Sequence, residues 1–164
     1  MQQTVLARGA EVLPGIPAAI DQLRARGLKI GSTTGYTRAL MEVVVPLAAR
    51  GGYSPEVIVC SDDVPAGRPA PDMNLRAAAL LGLTDLSTVL VIDDTPVGIT
   101  AGRAAGCPTV AVSQTGNALG LSHAEVTAMP PQELASRLES IEADFRAAGA
   151  DYVVRSVAEL PVLL

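Results

Sequence analysis

Tryptophan is absent, phenylalanine occurs once and tyrosine three times, so aromatics make up 2% of the 164 residues. That scarcity argues against a surface that stacks nucleobases. Packing has to rest on Ala, Val, Leu and Ile. Lys29 is the only lysine and His123 the only histidine. Lys plus Arg total 12 against 17 Asp plus Glu, a formal net charge of −5. A chain of that sign suits neither nucleic acid nor an anionic membrane as a general partner. The two cysteines, Cys60 and Cys107, are too few for a disulfide-built domain, and a reduced, cytoplasmic setting is expected. No apolar run approaches the roughly 20 residues of a membrane span. The start, Met1 to Arg8, carries no long apolar signal segment. Neither the Gly-x-Gly-x-x-Gly dinucleotide fingerprint nor a P-loop is present.

Apolar residues are plentiful, at 49%. They supply a sizeable core and argue against disorder, and the length suits one domain. Ile16, Ile20 and Leu23 recur at helical spacing up to Gly27. A buried strand is expected from Leu28 to Ile30, running into Gly31-Ser32. A polar loop, Thr33 to Thr37, leads to a helix over Arg38 to Arg50, although Val43-Val44-Val45 are poor helix formers. Val57 to Cys60 reads as a strand, and Ser61 to Pro71 as a loop rich in Pro and Gly. After a helix through Leu75 and Leu80, Thr88 to Ile92 reads as a strand covered on both faces. Asp93-Asp94-Thr95-Pro96 breaks it, and a helix follows over Val97 to Ala105. Thr109 to Val112 is the next strand. Ser122 and Glu125 have capping-box spacing. Leu134, Leu138, Ile141 and Phe145 share one face of a long helix. A short strand over Asp151 to Val154 and a helix over Ser156 to Leu164 close the pattern. Strands alternating with helices predict a parallel α/β sheet with right-handed crossovers. The chemistry of such sheets sits at the carboxyl ends of the strands.

Four strand ends carry reactive residue types. Thr33-Thr34-Gly35 offers two hydroxyls and backbone donors at a helix start, a cradle for phosphate or a plain helix cap. Arg68, stiffened by Pro69 and Pro71, carries a charged fork suited to phosphate oxygens, or lies along the surface. Asp93-Asp94 ends a buried apolar run. Two adjacent carboxylates there call for a cation or donors, and Mg²⁺ takes such hard oxygen ligands; one acid capping the helix is the simpler alternative. Ser61-Asp62-Asp63 is a second acidic pair that equally suits turn capping. His123 belongs to a helix start, and neither cysteine has a neighbouring histidine to activate it.

Three stretches in order carry a family resemblance: Gly27-Leu28-Lys29-Ile30-Gly31-Ser32-Thr33-Thr34-Gly35-Tyr36-Thr37-Arg38, Asp62 to Pro71, and Asp93-Asp94-Thr95-Pro96-Val97-Gly98-Ile99. Gly116 to Ser122 adds a fourth. With these the chain resembles the haloacid dehalogenase-like hydrolase superfamily, and within it the phosphonoacetaldehyde hydrolases, from about Glu11 onward. The resemblance implies a three-layer α/β/α Rossmann-like core, with residues 1–164 as one partial core domain. It makes Thr34 the hydroxyl that binds the transferred phosphoryl group, with Thr33 its rival and Gly35 beside them. It makes Arg68 the cation that neutralises phosphoryl charge, and Asp93 and Asp94 the residues that help hold Mg²⁺. Gly98 stands where some relatives place another acid, so the adjacent pair has to suffice. Asp62 and Asp63 match the family loop but are not expected as principal metal ligands.

Two family features have no counterpart. The N-terminal Asp nucleophile motif is missing: the first Asp, Asp21, falls within an expected helix. The cap-domain lysine that forms a Schiff base with the aldehyde is missing too, and Lys29 is placed away from the carboxyl-end loops. In the complete family fold, the nucleophile strand is central, between the strands ending near Thr34 and Asp93. The chain therefore reads as the core portion after the cap, lacking that strand and the cap. The implied full reaction is C–P bond hydrolysis, from phosphonoacetaldehyde and water to acetaldehyde and phosphate. Little or no activity is expected of this chain alone. Substrate or phosphate, and a complementing N-terminal or cap polypeptide, are the expected partners; the complete protein is a candidate homodimer through the cap. A truncated form of such a hydrolase is the favoured expectation; the alternatives are one subunit of a split hydrolase and a non-enzymatic phosphate-binding or interaction module.

Overall fold

The computed structural model describes residues 12–164. Helix α1 (Ile16–Ala25) opens with Pro17 in its first turn, where a missing N–H is harmless, and buries Ala19, Ile20 and Leu23. Strand β1 (Gly31–Thr33) follows, then α2 (Arg38–Arg50) and β2 (Val57–Val59). A 3₁₀ turn at Ser61–Asp63 and a loop lead to α3 (Asp72–Leu80). Then come β3 (Val91–Asp93), α4 (Pro96–Ala104) and β4 (Thr109–Val112). Helices α5 (His123–Ala128) and α6 (Pro131–Ala147) precede β5 (Tyr152–Val154) and a short α7 (Leu160–Leu163).

All pairings are parallel, as the strand–helix alternation predicts, but the strands form two sheets: β1-β2 and β3-β4-β5. Among the described residues the division falls between β1 and β3, where the family resemblance places a further, central strand. Strand β4 carries the core. Its Val110 and Val112 join Ile20, Leu23, Val154 and Leu160 in one apolar cluster, whereas Ala111 joins Ile99 and Phe145 in another. Side chains alternate across a strand, so these clusters lie on opposite faces. Helices α1 and α7 cover one face and α4 and α6 the other, giving the expected three layers. A third cluster, Val59 with Met73 and Ala77, seats α3 on the smaller sheet.

Several expectations shift. The first strand starts later than Leu28: Glu56 occupies the approach, donating its N–H to the Ile30 carbonyl and accepting the Ile30 N–H at 2.7 Å through its carboxylate. The ladder then begins at Gly31 opposite Val57. The apolar run Thr88 to Ile92 is not one strand covered on both faces. Asp85 caps a 3₁₀ turn at Leu86–Thr88 by accepting the Ser87 N–H. The strand itself lies on a sheet edge, with Ile92 36% exposed. The fully covered strand is β4, all four of whose residues are buried. Ser156 to Leu164 splits into a 3₁₀ turn and the single turn of α7. Helix α2 forms despite its valine run and Pro46; its first N–H, that of Arg38, is capped from afar by Asp62 Oδ1 at 2.9 Å.

Candidate active site

Strands β1 and β3 face one cleft of about 840 Å³, lined on its polar rim by Thr33, Arg68, Asp93, Asp94, Thr115 and Gly116. The remaining lining is mostly aliphatic, including Ile16, Ile20, Leu23, Leu90 and Leu160. Parallel pairing in register sets Thr33 and Asp93 at the carboxyl ends of their strands, where an α/β sheet gathers its chemistry.

Arg68 joins the two sheets. Its Nη2 donates to the Thr33 carbonyl at 3.1 Å and to Thr33 Oγ1 at 2.9 Å, and its Nε lies 3.2 Å from Asp93 Oδ2. Both charged side chains are largely buried, 22% and 10% exposed, so the pair is weakly screened. The second Asp93 oxygen, Oδ1, accepts the Thr95 N–H at 2.9 Å and the Thr95 hydroxyl at 2.7 Å. Thr95 Oγ1 in turn accepts the Gly98 N–H and caps α4. The Thr95-Pro96 pair thus serves two ends: a cap and a first-turn proline start the helix, and the same cap fixes the carboxylate before it.

Asp94 behaves differently. Its Oδ2 accepts the backbone N–H of Asn117 at 2.8 Å, from the loop after β4. Oδ1 has no hydrogen-bond partner among the described residues. The adjacent acids are therefore divided: Asp93 is committed to Arg68 and Thr95, and Asp94 retains a free hard oxygen on the cleft rim. Among the described residues there is no group of three or more His, Cys, Asp or Glu side chains arranged to hold a metal. Mg²⁺ does not require one; it commonly takes one or two carboxylates plus waters and phosphate oxygens. The donor set fits that sparse kind of site, with Asp94 as the available protein ligand.

Thr34 and Gly35 continue past the cleft lining. The Thr34 N–H extends the ladder to the Val59 carbonyl, and its hydroxyl accepts the Tyr36 N–H at 3.1 Å. Of the two threonines, it is Thr33 that contacts Arg68. Asp62 and Asp63 are engaged elsewhere: Asp62 caps α2, and Asp63 pairs with Arg38 and accepts the Cys60 N–H. The Arg38 guanidinium holds the Asp63 carboxyl below the usual carboxylate range. Lys29 Nζ donates to the Leu81 carbonyl at the end of α3. Asp21 is exposed on α1. His123 opens α5 inside the Ser122–Glu125 capping box. Both cysteines are free and buried, and burial pushes their thiols up, away from nucleophilic thiolate. Sequence reasoning missed the donor role of Asn117 and the anchoring role of Thr95; a Thr-Pro pair directly after the acids was the available signal for Thr95.

A haloacid dehalogenase-like hydrolase family model matches residues 2–106. A phosphonoacetaldehyde hydrolase-like protein of Syntrophobacter fumaroxidans is 42% identical over 97% of this chain and 57% of its own length. A phosphonoacetaldehyde hydrolase of Nitratidesulfovibrio vulgaris is 46% identical over 97% of this chain and 56% of its own. The crystal structure of a phosphonoacetaldehyde hydrolase-like protein from Oleispira antarctica superposes with a TM-score of 0.96 at 36% identity, over 99% of this chain and 59% of that one. The chain thus spans less than two thirds of the length of each of these relatives. With an α/β parallel core and a family match over more than half its residues, the chain belongs to the haloacid dehalogenase-like hydrolase family.

Proposed function

We propose that residues 1–164 form one partial core domain, the phosphate-side portion of a phosphonoacetaldehyde hydrolase working in a reducing cytoplasm. Carbon–phosphorus bond hydrolysis, giving acetaldehyde and phosphate, is the reaction of the assembled enzyme. The observation that carries this reading is Arg68 spanning the cleft from Thr33 to Asp93. Its Nη1 has no partner among the described residues, which leaves N–H donors for a phosphoryl oxygen. Thr33 supplies a hydroxyl at the same rim, and Thr34 and Gly35 follow it at the start of the loop that leads to α2, for an incoming phosphoryl group to reach from beyond the cleft lining. Asp94 is the residue to hold Mg²⁺, with Asp93 keeping the guanidinium in place. When bound, Mg²⁺ supplies positive charge that offsets the phosphoryl oxygens.

This chain alone provides neither the nucleophile nor the Schiff-base amine: Asp21 lies on the exposed face of α1, and Lys29 is held by Leu81. In the assembled enzyme both come from the family's N-terminal Asp segment and Lys-bearing cap, whether these belong to the same protein or to a complementing polypeptide. The aliphatic cleft between β1 and β3 favours this over a stand-alone binding module, because edges of β1 and β3 that are unpaired among the described residues, beside an apolar slot, suit added strand pairing. In assays of the full chain with phosphonoacetaldehyde and Mg²⁺, no acetaldehyde is expected until a polypeptide carrying the Asp motif and a Lys-bearing cap is added. Rapid turnover by this chain alone, abolished by Asp94→Ala, contradicts the proposal.

A further inference from the structure

A glycine stands against each acid at the end of β3. Gly98 lies in the first turn of α4 and is buried. A Cβ at that position would fall within the Asp93 carboxyl group, against Cγ and both oxygens. Gly116 lies in the loop after β4. A Cβ there would overlap Asp94 Cβ and stand 2.9 Å from the Val112 carbonyl oxygen and 3.1 Å from Asp94 Oδ2. Neither residue has a positive φ, so left-handed backbone does not account for glycine at either place. A glycine inside a helix is also less stable than alanine by roughly 0.5–1 kcal/mol. The physical reason that remains is the close approach of the Asp93 carboxylate at 98 and of Asp94 together with the Val112 carbonyl at 116.

We infer that Gly98 and Gly116 are positioning residues that keep the two carboxylates in separate duties. Gly98 lets Asp93 lie flat over the start of α4, where one oxygen meets Thr95 and the other Arg68. Gly116 lets the loop after β4 close over Asp94, so that the Asn117 N–H reaches Oδ2. The helix that directly follows the acids and the loop after β4 thereby set which acid pairs with the guanidinium and which keeps a free oxygen. A side chain at 98, an acid included, is incompatible with the Arg68–Asp93 pair as it stands. This inference bears on the proposed phosphoryl site but rests on the close approaches alone.

The isotope-labelled chain of residues 1–164 tests it without phosphate or metal, so its outcome is independent of the hydrolase reading. The Arg68 Nε–H signal and the Asp93 carboxyl carbon report one seat; the Asn117 N–H and the Asp94 carboxyl carbon report the other. Gly98→Ala is expected to shift the first pair and leave the second in place. Gly116→Ala is expected to do the reverse. Both pairs unmoved in folded variants, or both moved alike by either substitution, overturns the inference. Should Gly98→Ala not fold, Gly98→Ala combined with Asp93→Ala decides: all three close atoms are gone, so the double variant is expected to fold. A double variant as unstable as the single one contradicts the seat.

Discussion

Arg68 Nε sits 3.2 Å from Asp93 Oδ2, joining the loop after β2 to the end of β3, although those strands belong to separate sheets. The pair is therefore part of the tertiary structure as well as of the candidate site. Removing either member leaves a largely buried charge without its partner. Arg68→Ala and Asp93→Ala are each expected to lower unfolding free energy by about 1–3 kcal/mol. The double variant is expected to lose less than the sum, because the two residues share one interaction. Urea unfolding of the four proteins measures this. Arg68→Lys is expected to recover little, since a point charge cannot bridge Thr33 and Asp93 as the fork does.

The two acidic pairs separate under substitution. Asp62→Ala removes the acceptor for the Arg38 N–H and is expected to cost about 0.5–2 kcal/mol, the range of a lost helix cap. Mg²⁺ binding is expected to persist in that variant and to be lost in Asp94→Asn. Calorimetric titration of both variants with Mg²⁺ checks the contrast.

Asp151 predicts a pH dependence at the other end of the strands. Its carboxylate accepts the buried Thr109 N–H at 2.8 Å and the Thr109 hydroxyl at 3.0 Å. These bonds, the backbone one first, hold its pKa below the ordinary value. A carboxylate depressed in the folded state adds stability above its unfolded pKa and loses it as pH falls through the folded one. The stability gap between wild type and Asp151→Asn is thus expected to be full at neutral pH. It begins to shrink below about pH 3.9 and closes in stronger acid. Urea midpoints across that range give the answer; a gap that widens on acidification contradicts the assignment.

The cysteines give a simple control. Cys60 is 0% and Cys107 5% exposed, and burial raises both thiols. A chromogenic disulfide reagent is expected to label neither in the native protein and both in urea. Fast native labelling contradicts the packing of β2 and of the turn before β4.

Much of this was legible in the residues. The apolar run Thr109–Val112, the Ser122–Glu125 box and the Leu138–Phe145 helix face appear where their spacing places them, because local rules fix them. The onset of β1 did not follow its apolar run, since a distant carboxylate, Glu56, takes the Ile30 N–H. Of the residues expected at the rim, Arg68, Asp93 and Asp94 line one cleft together with Thr33, whereas Thr34, the hydroxyl expected to bind the phosphoryl group, lies beyond its lining. The rim's internal division was not legible. Which acid meets Arg68 follows from where Gly98 and Gly116 leave room, and a close approach across a strand–helix turn or from the loop after β4 has no periodicity to betray it.

The central claim, that this rim holds a phosphoryl group, is tested most directly by titrating inorganic phosphate into the full chain with Mg²⁺ present, followed by ³¹P line broadening, for wild type and Arg68→Ala. The account predicts saturable binding to wild type that weakens at least about tenfold, ~1.4 kcal/mol, without the guanidinium. Phosphate binding that is absent from wild type, or equal in the two proteins, contradicts it.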